Sequence, residues 1–376
     1  THQYSKMLME LGLNGKFAST PYMTEETPLT MATHSHAGAP FTGSAKIEDG
    51  VRDPCLSNPD VVQQYTTGAA EETAEMRHLG PFAVNVRDEA TLASRHTRRE
   101  VCFSEWCQPR YRDWLRERYG EIADLNTEWG TDYAGFDEIT GARTEDVRGT
   151  DNFAPFVDFR TFMTDVWVDG MRGITSAYED AWPGMRVGHT NTFGTMPTNG
   201  NDYWKLCTQT GFEWAQEYSE AIKGNAQKAV FELWRSFLQG RTGEDFPNYG
   251  WIGYDHSAEA VKYEPWWLAL HDSGGTTYFA TNALSPDRGK SWALIYPTQA
   301  YTPYSFEVQD SLRDLREGVG KALLEGRRAE PDVAILWSHP SMLVSWCRSE
   351  WTQPVPPETH VNDSYGSWFK SAFYFR

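Results

Sequence analysis

The feature that most constrains this chain is the regular return of a short β-rich run after each amphipathic helical stretch. "QYSKMLMELGLN" has apolar residues at helical spacing with a glycine near its end, and the strand-like "GKFAST" follows. "TPLTMATHSHAG" reads as the next strand, running into a polar loop. "NPDVVQQYTTGAAEETAEMRHLG" reads as a helix opened by Asn or Pro and stopped by Gly, and "FAVNVRDE" as a strand ending in charge. Two short helices broken at Gly120 and one long amphipathic helix come next. Strands "MRVGHTN" and "GFEWAQEYSE", helix "AIKGNAQKAVFELWRSFLQG", strand "YGWIGYD", helix "EAVKYEPWWLALHDSG" and strand "GTTYFATN" complete the alternation. Strand then helix, repeated with short connections, predicts a parallel α/β fold. The number of units favours a (β/α)8 (TIM) barrel over an open sheet, and no glycine-rich phosphate-binding loop argues otherwise. The count places the first strand before Thr1, so an N-terminally incomplete barrel is expected over 1–325. The run "DVAILWSHPS" is then expected to open a second α/β domain, truncated, over 331–376.

The totals exclude several classes. A formal charge of −18 argues against nucleic acid, whose phosphates need a basic stripe. No apolar run approaches the roughly 18 residues of a membrane span. The chain opens at Thr1 without an initiator Met, so the lack of a visible targeting segment says nothing about compartment. Sixteen Trp, 18 Tyr and 19 Phe suit a large aromatic core, or rings lining a cleft where flat apolar faces meet sugars. Five cysteines, an odd and scattered set, are no disulfide scaffold.

In a (β/α)8 barrel the chemistry lies at the C-terminal ends of the strands. That rule selects Glu89 in "FAVNVRDE", Glu217 in "GFEWAQEY" and Asp255 in "YGWIGYD" from the 52 acidic residues, with Glu232 falling in a helix. Any one strand-terminal acid also suits a helix cap or an ion pair. Several together suit a glycosidase, where a protonated acid and an ionised nucleophile stand about 5–5.5 Å apart in the retaining case.

The segment "CFSEWCQPRYRDWLRERYGEIADLNTEWGTDYAGFDEI" resembles the text after the acid/base glutamate in glycoside hydrolase family 42, the β-galactosidases. There an Asn-Glu ends the fourth strand, followed by a C-x-C-x-x-C cluster and an "F-x-x-W-L-x-x-R-Y-G … L-N-x-x-W-G-T" run. A weaker likeness extends from Gln3 to Trp337 and includes "EPWWLALHDSGGTTYF" as the last helix and strand. The resemblance implies Glu89 as acid/base and a carbohydrate substrate. Asp88 replaces the family's Asn, which normally bonds a sugar hydroxyl; Asp can accept that bond but not donate it, and an ionised Asp88 favours a protonated neighbour. The family's nucleophile is a Glu ending the seventh strand. No Glu stands there, so Asp255 is the first choice, Glu217 the second and Glu232 the third.

The resemblance also implies a structural zinc held by four cysteines. Cys55, Cys102 and Cys107 match three of them, and Ser104 holds the fourth position. A neutral hydroxyl is a poor substitute for thiolate. The expectation is a degenerate site without metal, with free buried thiols or a disulfide at Cys102–Cys107 or Cys55. Three Cys plus His96 is the alternative. Asn191 lies where members of the family place a polar group at the end of the fifth strand, and His189 is nearby. His34 and His36 end the third strand and would share one face, which could bind a metal or, as the more modest reading with His34 foremost, contact sugar hydroxyls. Trp251, Trp266 and Tyr278 are candidates for sugar stacking, with core packing the alternative for each.

The expected activity is retaining hydrolysis of β-galactosides or galactose-containing oligo- and polysaccharides, with no cofactor needed for the chemistry. A barrel without a second carboxylate would instead bind carbohydrate without cleaving it. Family resemblance implies a trimer, joined through the domain that starts near 331.

Overall fold

The computed structural model describes residues 2–19, 30–93, 100–190, 199–218, 231–238, 248–252, 258–279, 293–326, 332, 334 and 336–348. Among these, seven parallel strands form one sheet: β1 (Gly15–Ser19), β2 (Thr30–His34), β5 (Ala83–Asp88), β6 (Val187–Thr190), β7 (Trp214–Tyr218), β8 (Asn248–Ile252) and β9 (Gly275–Tyr278). Their order in the sheet is their order in the chain, as a barrel requires. The short strands β3 (Lys46–Glu48) and β4 (Val51–Asp53) form a separate antiparallel hairpin in the β2-to-β5 connection. Asp49 and Gly50 both take positive φ at its tip, the backbone of a two-residue turn that matches strand twist.

Helices fill the connections. They are α1 (His2–Glu10), α2 (Pro59–Met76), α3 (Cys107–Tyr119), α4 (Ile122–Trp129), α5 (Thr144–Val147), α6 (Ala154–Ala181), α7 (Tyr203–Gln209), α8 (231–238), α9 (Ala258–Leu270), α10 (Pro303–Asp314), α11 (Gly320–Glu325) and α12 (His339–Arg348). α2 starts where Asn58 accepts a hydrogen bond from the Asp60 N–H and Pro59 occupies the first turn. α6 buries one long face through Phe156, Phe159, Phe162, Met163, Trp167 and Met171. Gly170 and Gly173 on it admit the rings of Phe41 and Tyr65, which lets α2 and its preceding loop approach closely.

Two apolar layers result. Phe17, Ala32, Ala83, Trp214 and Tyr249 fill the barrel interior, and a much larger cluster lies between sheet and helices. The central strands β5, β6 and β7 are therefore buried on both faces, and the parity of a residue decides which layer it joins. α12 packs Met342, Leu343 and Cys347 against Val147 and Phe156, while Trp337 donates to Asp202 Oδ1 at 3.2 Å. The second domain expected over 331–376 has no strand among its described residues, which are irregular to Ser338 and then form α12; residues 349–376 lie outside the described ones. No helix among the described residues is long and apolar enough to cross a membrane.

Candidate active site

β5 delivers Glu89 by an irregular route. Asn85 Nδ2 donates to Thr190 Oγ1 at 2.8 Å, and Thr190 Oγ1 donates to Asp88 Oδ1 at 2.8 Å. Residues three apart face opposite sides of a regular strand, yet Asn85 and Asp88 meet one hydroxyl. The pairing of β5 with β6 shifts between them, and this bulge turns Asp88 back to the inner face. Beyond it Glu89 takes φ 50°, a left-handed conformation uncommon for a side chain with a Cβ, while its N–H bonds Thr190 O at 3.1 Å. Such strain gathers at functional sites, where the surroundings over-determine it. Glu89 is half-buried and Asp88 exposed, at the strand's C-terminal end.

His34, the last residue of β2, joins the same network. Its Nδ1 lies 2.8 Å from Asn85 Nδ2, and its ring stacks on Phe17 with centroids 5.2 Å apart. Burial holds its imidazole below the usual histidine range, opposed by Asp88 and assisted by Arg87. Across the barrel, Tyr249 packs edge-on to the interior Trp214, so Trp251, two residues on, faces the interior one layer nearer the strand ends. Trp251 stacks on Phe279 at 5.6 Å, and Phe279 is 39% exposed just past β9. A partly exposed ring just past a strand end suits a sugar face.

Parity removes several sequence candidates from this mouth. His189 follows Gly188, whose missing Cβ makes room for Trp214, so His189 faces outward. It stacks on Phe212 and packs tilted against Trp234, its Nδ1 bonds Arg87 O at 2.9 Å, and burial lowers its pKa to about 4. Glu217 pairs with Gly250, where an added Cβ would strike Leu268 of α9, so this 1%-exposed acid points into the helix layer. Tyr278 pairs with Ile252 and packs in the same outer cluster. Burial first, and Glu264 second, raise its pKa, and its hydroxyl has no hydrogen-bond partner. Trp266 lies mid-helix in α9 and not at a strand end. Glu232 is helical, as expected, and bonds Arg235 at 2.8 Å and His271. Burial opposes its ionisation, but the hydrogen bond from His271 and the charge of Arg235 prevail and hold its pKa at about 2. Asp255, Asn191 and His96 lie outside the described residues.

Comparison with known proteins decides the family. The β-galactosidase model of glycoside hydrolase family 42 matches residues 57–293, more than half of the chain. The chain belongs to glycoside hydrolase family 42. The β-galactosidase BgaA of Planococcus sp. (strain 'SOS Orange') is 27% identical over 184 residues, which is 46% of this chain and 24% of that protein. The β-galactosidase structure from Bacillus circulans sp. alkalophilus superposes with TM-score 0.69 at 14% identity, covering 92% of this chain and 58% of that one. The β-galactosidase from the haloarchaeon Halorubrum lacusprofundi gives 0.63 at 14% identity, covering 92% and 60%. The chain thus matches about a quarter of the curated relative's length and under two thirds of the solved chains.

In this family 42 chain the cysteine cluster is geometrically intact apart from Ser104. All five cysteines are buried and none is in a disulfide, so neither expected disulfide forms. Cys55 Sγ lies 3.6 Å from Cys107 Sγ, 3.9 Å from Cys102 Sγ and 3.1 Å from Ser104 Oγ. Tetrahedral zinc with bonds of about 2.3 Å separates its thiolates by ~3.8 Å, so the three sulfurs fit a metal and the hydroxyl stands beside them. Hydrogen bonds from Cys107 and Cys55 hold Cys102 well below the usual thiol range. The buried Arg52 adds positive charge next to them and donates to Leu92 O at 2.7 Å and Pro40 O at 2.6 Å. Arg52 thereby ties the hairpin and the cluster to the loop that follows Glu89.

Sequence reasoning missed Asn85, Thr190 and Phe279. Their neighbours were singled out instead, because both faces of each strand are apolar enough to hide which one is inner.

Proposed function

We propose that the chain is a retaining glycoside hydrolase acting on β-galactosides or galactose-containing saccharides, with Glu89 as acid/base and Asp255 as nucleophile. Family membership supports the reaction class. The observation that carries the assignment of Glu89 is the bulge that turns Asp88 inward and sets Glu89 at φ 50° beside it. Glu89 protonates the glycosidic oxygen as Asp255 attacks the anomeric carbon, and then takes a proton from the water that releases the sugar. Asp255 remains the first choice because Glu217 and Glu232 are committed to the helix layer. Trp251 and Phe279 supply the stacking face, and His34 and Asp88 bond hydroxyls.

Cys55, Cys102 and Cys107 would hold a structural zinc, with Ser104 beside the fourth corner, and the metal would stabilise the loop after Glu89. The test of the catalytic assignment is turnover of an unactivated β-galactoside with the product anomer followed by NMR. Retention by the wild type and near-complete loss in Glu89→Gln and Asp255→Asn are expected. Inversion, or full activity in either variant, refutes it; sugar binding without cleavage by the wild type indicates a binding barrel instead.

A further inference from the structure

Proton counting along the inner face assigns more than contacts. Three polar links cross three strands in series: His34 Nδ1 to Asn85 Nδ2, Asn85 Nδ2 to Thr190 Oγ1, and Thr190 Oγ1 to Asp88 Oδ1, each 2.8 Å. A carboxylate oxygen only accepts, so the single Thr190 hydroxyl proton goes to Asp88. Thr190 Oγ1 must then accept from Asn85. The amide group facing it is therefore the NH2, whose second hydrogen points at His34 Nδ1 and finds an acceptor only if that nitrogen is bare. The reversed amide fails this count. Its oxygen would need protons from both His34 and Thr190, leaving Asp88 against a hydroxyl with no proton between them. The chosen orientation leaves only Asn85 Oδ1 without a partner, and an under-satisfied acceptor is the cheaper defect.

We propose that Asn85 is a positioning residue that fixes His34 as the neutral Nε2–H tautomer and, through Thr190, fixes Asp88 as an acceptor beside Glu89. The barrel mouth then presents one donor from β2 and one acceptor from β5 to the substrate. Two hydroxyls of one sugar, one accepting and one donating, satisfy that pair. The Phe17 stack holds the imidazole plane, so the Nε2–H direction is set from two sides. Burial lowers the imidazole's pKa and so favours the neutral ring, in line with the same assignment.

This inference rests on the glycosidase reading for its substrate and not for its tautomer, and the experiments separate the two. Long-range 1H–15N NMR of the full chain labelled at histidine reads the proton directly, with His34 identified by its loss in His34→Gln. A bare Nδ1 and protonated Nε2 in the wild type are expected; a proton on Nδ1 overturns the proposal, whatever the enzyme hydrolyses. On the β-galactoside turned over by the wild type, Thr190→Val should lower kcat/KM about ten- to a hundredfold, the range for one lost bond to a charged group. Thr190→Ser, which restores the hydroxyl, should recover most of that loss. His34→Gln, a donor near the Nε2 position, should keep KM well below that of the acceptor-only His34→Glu. Equal kinetics for Val and Ser at 190, or for Gln and Glu at 34, overturn the positioning role.

Discussion

The inner and outer faces of the same strands carry similar polar residues with opposite fates. Thr190 faces inward and bonds Asp88, whereas His189, one residue earlier, is packed between Phe212 and Trp234. Trp251 and Phe279 look into the mouth, whereas Tyr278 buries its hydroxyl behind the wall. Glu89 reaches the mouth because a bulge and a left-handed residue turn the end of β5, and Glu217 on a regular β7 does not. Which polar side chains reach the inner face follows strand parity and its local violations more than residue type.

The strongest way to break that comparison is to remove each acid in turn. Glu89→Gln should lower kcat on an unactivated galactoside by roughly 10²–10⁴, the range for a general acid/base. Glu217→Gln should change it less than about threefold. Comparable losses would erase the distinction between the faces.

The cysteines proposed to hold zinc lie in the layer between sheet and helices, so metal removal should move stability more than KM. One zinc per chain is expected by elemental analysis. Chelation should lower the melting temperature by about 5 °C, the size of a linkage near 4 kcal/mol in a chain this long.

His189 gives the outer face a pH signature. Its pKa in the fold is about 4, below the ordinary value of 6.5. Between those values the unfolded chain binds a proton that the folded chain refuses, so stability falls as pH drops through the window. About 2 kcal/mol of this should separate pH 7 from pH 4.5, measurable by urea unfolding at the two values. His189→Leu should flatten that dependence, and an unchanged slope would place the ring elsewhere.

Smaller effects sharpen the picture. Phe279→Ala should raise KM up to about tenfold with kcat nearly kept, the scale of one lost ring contact. Tyr278→Phe should leave kinetics alone and change stability by less than about 1 kcal/mol, towards stabilisation, because the deleted hydroxyl bonds nothing.

The strand–helix order was legible because apolar runs ending in Gly or charge mark each element, and the end of β5 at Asp88-Glu89 was legible from charge alone. Parity was not. In a parallel barrel both faces of a strand are buried, so "VGHT" and "GTTYF" show no alternation that separates His189 from Thr190 or Tyr278 from Phe279. The bulge between Asn85 and Asp88 left no mark either, since nothing in "NVRD" is a glycine. The cysteines were legible as a set, but their 3.6 and 3.9 Å spacing belongs to three dimensions and makes the site fit for zinc despite Ser104.

The most direct measurement is a crystal structure of Glu89→Gln with a bound galactoside. The Asp255 carboxyl should face the anomeric carbon from across the mouth, about 5–5.5 Å from the carboxamide of residue 89, the spacing of a retaining pair. A separation of roughly 6.5–9.5 Å, or Glu217 turned onto the sugar in place of Asp255, would contradict the account.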